Sequence, residues 1–208
     1  IKLASKYENA CVILRGYGRV SKGLYVVSLN GKILVDVKTS GDEAMLLANS
    51  LSNATIIVSE NRIKAILKAK ELGCKIIFLD DGFSKYQISK FNILLRPKDE
   101  PTNIFCLPSG GYREPKGFYA QANIELLEGT DFERVISIKK DGKVCELPSK
   151  TILITAISKP KRLLEYLPKD IKMISFPDHY TFTKEDILKI QEENKDFSFV
   201  TTGKDFVK

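Results

Sequence analysis

The sequence predicts an α/β protein whose mostly parallel sheet is flanked by helices. Three observations carry this class. Short apolar, β-rich runs alternate with amphipathic stretches along residues 10–95, the pattern that winds a sheet between helices. Ile76-Ile77-Phe78-Leu79 is continuously apolar, as strands buried on both faces are. The same alternation then restarts over residues 151–201, so a second, smaller α/β lobe is expected.

The elements come in this order. Residues 1–7 are compatible with a helix, but carry neither an initiator Met nor a capping residue. Residues 10–14 read as a strand running into Arg15-Gly16-Tyr17-Gly18-Arg19. Strands over 24–29 and 32–35 flank Asn30-Gly31, a two-residue hairpin signal. Ser40-Gly41-Asp42-Glu43 opens a helix over 44–51, its first-turn acids matching the helix dipole. A strand over 54–59 and a helix over 63–72, stopped by Gly73, lead to the 76–79 strand. Residues 91–95 form a further strand, and 101–115 a Pro- and Gly-rich loop of the length usually kept for function. Asp141-Gly142 joins a second hairpin, 135–138 with 143–147. Beyond it come a strand at 151–157, a helix at 162–167, a strand at 173–176, a helix at 184–194 and a strand at 197–201. The expected division is a core lobe over 1–130, a two-stranded linker over 131–148 and a small lobe over 149–208.

With 208 residues, 43% of them hydrophobic and 28% charged, the chain can bury a substantial core. No apolar run approaches the roughly 20 residues of a membrane-spanning helix, and no signal peptide is visible. Cys11, Cys74, Cys106 and Cys145 are scattered, without the paired spacing of a zinc site or disulfide frame. The formal charge of +7 favours a polyanionic partner, whether phosphorylated substrate, anionic membrane or nucleic acid. A solvated lysine-rich surface explains it equally well, and no nucleic-acid motif accompanies it.

Four groups of residues could carry chemistry. Asp80-Asp81-Gly82 follows a strand directly, at the edge where open α/β sheets place ligands. Adjacent carboxylates there suit Mg²⁺, which takes oxygen ligands and keeps substrate phosphates; an Asp-Gly turn after a strand is also ordinary punctuation. The lone histidine, His179, sits beside Asp178 after another strand, a candidate general acid/base or orienting group. Its plainer reading is a surface turn, and Thr183 with Asp186 reads as a capping box. Asp42 and Glu43 at a helix start suit capping, and equally a base that takes a hydroxyl proton in phosphoryl transfer. Arg15, Arg19 and Arg113 have the forked donors that phosphates take.

In order, Leu14-Arg15-Gly16-Tyr17-Gly18-Arg19, Gly41-Asp42-Glu43, Asp80-Asp81-Gly82-Phe83, Leu107-Pro108 through Arg113-Glu114-Pro115, Thr155-Ala156-Ile157, Phe176-Pro177-Asp178-His179 and Thr201-Thr202 with Lys204-Asp205 and Lys208 resemble the tetraacyldisaccharide 4′-kinase family of lipid A synthesis. The resemblance implies a P-loop NTPase-like kinase fold using ATP and Mg²⁺. Its acceptor would be the 4′-hydroxyl of a tetraacylated glucosamine disaccharide 1-phosphate. It implies Asp42 as base with His179 and Asp178 in support, and cofactor-binding positions at Arg15, Tyr17, Glu43 and Arg113. Metal positions would be Asp80, Asp81 and Glu114. It further implies a monomer without nucleic acid, working peripherally on the anionic cytoplasmic face of the bacterial inner membrane. Two departures stand out. No Gly-x-x-x-x-Gly-Lys-Ser/Thr occurs in the chain, so the phosphate loop is expected in a preceding segment of a longer protein and the chain alone is expected to be nearly inactive. Ser84-Lys85 also replaces the family's usual Gln-His. The alternatives are a metal-dependent glycosyltransferase and a basic, non-enzymatic membrane- or nucleic-acid-binding domain.

Overall fold

The computed structural model describes residues 1–208. Strand β1 (Ala10–Leu14) is buried along all five residues. The hairpin of β2 (Tyr25–Leu29) and β3 (Lys32–Ile33) turns through Asn30 and Gly31, both at positive φ, as the two-residue hairpin turn requires. Helix α1 (Val37–Ser40) is capped by the Asp36 carboxylate, which accepts from the Thr39 amide. It breaks at Gly41, whose φ of 84° lets α2 (Asp42–Ser50) start in a new direction. Strand β4 (Ala54–Val58), helix α3 (Arg62–Glu71) with its Asn61 side-chain cap, and strand β5 (Ile76–Leu79) come next.

The five strands order as β3-β2-β4-β1-β5. β1 pairs parallel with β4 and with β5, while β2 runs antiparallel to β4 and β3. The expected parallel sheet is therefore its centre, and the Asn-Gly hairpin adds an antiparallel edge. Because side chains alternate across a strand, the two faces separate cleanly. Val12, Leu14, Ile56 and Val58 pack with Ala44, Ala48 and Leu51 around α2. Cys11, Ile13 and Ile57 pack with Ala65 and Ala69 of α3. The small alanines let each helix lie close on the sheet.

Residues 81–137 form a compact unit of their own. Strand β6 (Ile93–Arg96) pairs parallel with β7 (Ile124–Leu127), a short strand broken by Glu125 that the sequence did not announce. The Pro- and Gly-rich loop is anchored by Tyr112, buried to 4% exposure, whose hydroxyl donates to Glu100. A 3-10 turn, Lys116–Gln121, comes after it.

The other unit combines residues 1–80 with 138–208. Its second stretch opens with the Asp141-Gly142 hairpin, β8 (Lys139–Lys140) and β9 (Lys143–Val144), shorter than expected. Strands β10 (Thr151–Thr155), β11 (Lys172–Ser175) and β12 (Ser198–Thr201) form a parallel sheet in the order β11-β10-β12. Helix α4 (Lys184–Glu193), started by the Thr183/Asp186 capping box, lays Ile190 on Ile152 and Ile154. Pro160–Tyr166 is 3-10 rather than the expected α-helix. Pro168 disfavours α geometry at Leu167, and 3-10 turns suit such short pieces. Helix α5 (Gly203–Phe206) ends the described chain. The contact division thus differs from a split into 1–130 and 149–208. The reason is physical: β6 and β7 pair only with each other, whereas α5 packs on α2.

Asp205 ties this second sheet to α5. Its Oδ2 accepts from Thr155 Oγ1 at 2.9 Å, the Ala156 amide at 3.1 Å and Thr202 Oγ1 at 2.7 Å. Its Oδ1 accepts from Lys208 Nζ at 2.8 Å. Burial works against the charge, but the donors of Lys208, Thr202, Ala156 and Thr155 outweigh it and hold the carboxyl below its usual range. A depressed folded value means that this contribution is complete above the unfolded value of about 3.9 and is lost as pH falls through the folded one. Asp205→Asn is expected to lower stability at pH 7 by about 1–3 kcal/mol. Urea unfolding should show the difference from the parent shrinking as the pH drops below about 4.

Candidate active site

Three chain segments converge on Asp42. Its backbone starts α2, and its side chain is only 5% exposed. Oδ1 accepts from the Glu43 amide at 2.8 Å, the local bond expected of a carboxylate at a helix start. Oδ2 lies 3.1 Å from His179 Nδ1 in a hydrogen bond that the ionised carboxylate accepts.

His179 reaches that position through an unusual backbone. Its φ is 61°, its amide donates to the Ala156 carbonyl at 3.1 Å, and the Tyr180 amide closes the turn onto Pro177. Asp178 is exposed, with Oδ2 at 3.8 Å from His179 Nε2. The imidazole is therefore flanked by one buried and one solvated carboxylate. The two carboxylates hold the ring in orientation.

The loop after β1 covers the other side of the ring. Gly18, at φ 74°, lies so close that a β-carbon there would stand 3.2 Å from His179 Cε1 and Nδ1. Tyr17 is 70% exposed and sets its ring 5.7 Å from the imidazole. Gly18, Gly41, Asp42, His179, Lys38 and Lys208 line a cavity of about 110 Å³. Arg19 takes no part as a ligand group. Its guanidinium is 1% exposed and donates to Glu60 at 2.5 Å, to the Gly23 carbonyl at 2.6 Å and to Ser21 at 3.0 Å. That fastens the loop to the end of β4 and corrects the reading of Arg19 as a phosphate partner. Arg15 stands exposed at the end of β1.

Asp80 follows β5, its amide donating to the Ile13 carbonyl at 3.0 Å. Arg62, buried on α3, donates to the Asp80 carbonyl at 3.0 Å and the Ser59 carbonyl at 2.7 Å, joining the ends of β4 and β5. In the 81–137 unit, Asp81 adopts φ 54° and its carboxylate pairs with Arg113. Glu114 accepts from the Tyr86 hydroxyl at 2.7 Å; burial first, and then that bond, push the Tyr86 phenol up to about 12. No group of three or more His, Cys, Asp or Glu side chains is gathered to hold a metal, so Asp80, Asp81 and Glu114 do not form a ready cage. Magnesium typically takes only one or two carboxylates and completes its shell with water and phosphate oxygens. The adjacent Asp80 and Asp81 fit that donor set.

The sequence profile of the tetraacyldisaccharide-1-P 4′-kinase family matches residues 2–208. The chain belongs to this family. A tetraacyldisaccharide 4′-kinase of Aliarcobacter butzleri is 78% identical over 208 residues, all of this chain and 66% of that protein. The Helicobacter pylori protein of that name is 46% identical over 209 residues, all of this chain and 65% of its own length. The chain thus spans about two thirds of these relatives. Among solved structures, that of LpxK from Aquifex aeolicus in complex with ATP superposes with a TM-score of 0.68 at 28% identity. It covers 95% of this chain and 69% of that one. The fold is accordingly that of a P-loop kinase.

Within the tetraacyldisaccharide-1-P 4′-kinase fold, the expected residues Asp42, His179 and Asp178 meet, with Glu43 and Tyr17 beside them. One neighbour was missed. Lys204 Nζ donates to Glu43 Oε1 at 3.0 Å and stands 3.9 Å from Asp42 Oδ2. The Thr202-x-Lys204-Asp205 sequence belonged to the resemblance, but nothing in its spacing tied it to Asp42, far earlier in the chain. Gly18→Ala tests the tight fit over the imidazole. A left-handed non-glycine residue costs about 1–2 kcal/mol, and urea unfolding should show that loss. A crystal structure of the variant should show the imidazole moved off Asp42.

Proposed function

We propose that this chain, within a protein of its relatives' full length, transfers the γ-phosphoryl group of ATP to the 4′-hydroxyl of a tetraacylated glucosamine disaccharide 1-phosphate. The observation that carries the reading is the Asp42–His179 pair, buried at one end and open at the other, in a chain that matches this family throughout.

In this reading Asp42 takes the proton of the attacking hydroxyl. Its Oδ2 is oriented by His179 and its Oδ1 by the Glu43 amide, so both oxygens are held in place on the wall of the cavity. A bond forms from the 4′-oxygen to the γ-phosphorus as the bond from phosphorus to the bridging β,γ-oxygen breaks, and ADP leaves with that oxygen. His179 would stabilise the carboxylate through its Nδ1–H bond before transfer and keep Asp42 in place afterwards. Asp178 keeps the imidazole from turning away. Arg15, Tyr17 and Arg113 would donate to nucleotide and sugar phosphates, and Glu43 would accept from a hydroxyl of the nucleotide. Asp80 and Asp81, with Glu114 in support, would hold Mg²⁺, and the ion would supply charge neutralisation to the phosphate oxygens.

A lipid acceptor fits a peripheral enzyme on the anionic cytoplasmic face of the inner membrane. Consistent with that, no helix is long and apolar enough to cross a bilayer, and the chain carries a formal charge of +7. Family membership speaks against the glycosyltransferase and non-enzymatic readings.

The deciding experiment assays 4′-phosphorylation of the lipid disaccharide by protein extended to its relatives' length, beside the 208-residue form. Turnover only in the extended form is the expected result, since the chain itself carries no phosphate-loop sequence. Absence of turnover in both overturns the substrate assignment. In the extended protein, Asp42→Asn should cut kcat by about 10²- to 10⁴-fold, the usual range for a lost general base. Fluorescent ATP should bind with little change, and unchanged turnover would remove Asp42 from the role.

A further inference from the structure

The proposed reaction leaves one charged group beside the base without a task. We propose that Lys204 is a positioning residue that sets the charge state of the Asp42–His179 pair. Its catalytic consequence rests on the kinase reading above, but its electrostatic core rests on geometry alone.

The charged groups around the pair come from several elements. Helix α2 supplies Asp42 and Glu43, the turn after β11 supplies Asp178 and His179, and α1 brings Lys38 to the cavity wall. From α5 and the end of the chain beyond it come Lys204 and Lys208. Lys208 is taken up by Asp205 Oδ1 at 2.8 Å and the Ala156 carbonyl at 3.4 Å. Lys204 is therefore the cation placed on the carboxylates themselves. Burial opposes its charge, but the Glu43 hydrogen bond and the nearby Asp42, Glu43 and Asp178 carboxylates prevail and raise its pKa. It stays an ammonium throughout the physiological range.

Its pairing with Glu43, a side chain half exposed, adds little to stability, as exposed ion pairs usually do. Asp42 is a different matter. That carboxylate is 5% exposed, and a charge 3.9 Å away acts on it with less solvent between them. Lys204 offsets one of the negative charges that Asp42, Glu43 and Asp178 place around a single imidazole. Without it the carboxylates draw a proton onto His179 or Asp42 more strongly, and the base is neutralised at higher pH.

The position of Lys204 is held by the fold rather than by its own flexible stem. Thr202 caps α5 and hydrogen-bonds Asp205, and Asp205 is fixed to the end of β10 through Thr155 and Ala156. Gly203 brings α5 close to α2, since a β-carbon there would stand 3.0 Å from Leu46 Cδ1. The Ala156 carbonyl that accepts from Lys208 also accepts the His179 amide. One buried knot thus places both the histidine and the cation.

Lys204→Met keeps the stem and removes the charge. Lys204→Arg keeps the charge. The first readout is an NMR pH titration of the His179 ring, the only histidine in the sequence, assigned by loss of its signal in His179→Gln. A unit charge about 4 Å away moves an ionisation equilibrium roughly five- to tenfold in water-like surroundings. That separation is the one from Asp42, and His179 feels the charge through its bonded partner, so the His179 midpoint should rise by up to about one pH unit in Lys204→Met and stay near the parent in Lys204→Arg. An unchanged midpoint in Lys204→Met overturns the proposal, and so does an equal shift in both variants. The second readout, in the full-length protein, is the acid limb of kcat/KM, which should move up by the same amount in Lys204→Met alone. Lack of turnover in the parent would sink the kinase reading and leave the titration to judge Lys204.

Discussion

Because β1 is buried over its whole length, both of its ladder edges must be filled, and both are filled by parallel partners. That constraint organises the rest of the sheet. Parallel neighbours need crossover connections, and α2 and α3 supply them, one on each face. Parallel pairing also brings the C-terminal ends of β1, β4 and β5 to one edge, so that Arg15, Ser59 and Asp80 emerge together. Sheets of this kind place their ligands at that edge. The second sheet repeats the arrangement around β10, whose five residues are likewise all buried. Its edge yields Ala156, Phe176 and Thr202, the roots of the histidine turn and the α5 cap.

The candidate site is where products of those two edges meet. Asp42 and His179 are 137 residues apart in sequence, yet they share a hydrogen bond of 3.1 Å. Burying a carboxylate is costly unless donors and charges compensate it. Asp42 gathers them from every side: the Glu43 amide, the His179 ring and the Lys204 ammonium. In the reaction we propose, Asp42 is the base, and the donors that offset its burial would serve that role as well as stability.

Much of this was legible in the sequence, and the reasons differ by residue. Strands β1, β4 and β10 were readable because full burial demands largely apolar runs. Strand β5 was readable by its apolar run although, as the edge strand, it is only half-buried rather than covered on both faces as expected. The Asn30-Gly31 and Asp141-Gly142 turns were readable because few residues accept positive φ. Strand β7 was not, since its four residues are broken by Glu125 and none of them is fully buried. Nor was the division into units, which depends on β6 and β7 pairing apart from the main sheet. At the site, Asp42 and His179 could be picked out by residue type and position after an element. Lys204 could not. A lysine between Gly203 and Asp205 has no local signal, and its partner is fixed only once α5 docks on α2.

The arginines show most directly why residue type alone cannot assign a role. Arg15, Arg19 and Arg113 look alike in sequence, each beside glycines or turn formers. Burial separates them. Arg19 spends its donors on Glu60, Gly23 and Ser21 inside the fold, so it shapes the loop that covers His179. Arg15 is exposed, and Arg113, with a side chain 69% exposed, pairs with an equally exposed carboxylate. A guanidinium held by a solvated partner can exchange it for a phosphate at little cost, because exposed pairs are weak. One sealed among three protein acceptors cannot, because leaving those acceptors unpaired would cost more than the new contact returns. The phosphate contacts we propose therefore fall to the loosely held arginines, and the shape of the loop over His179 to the tightly held one.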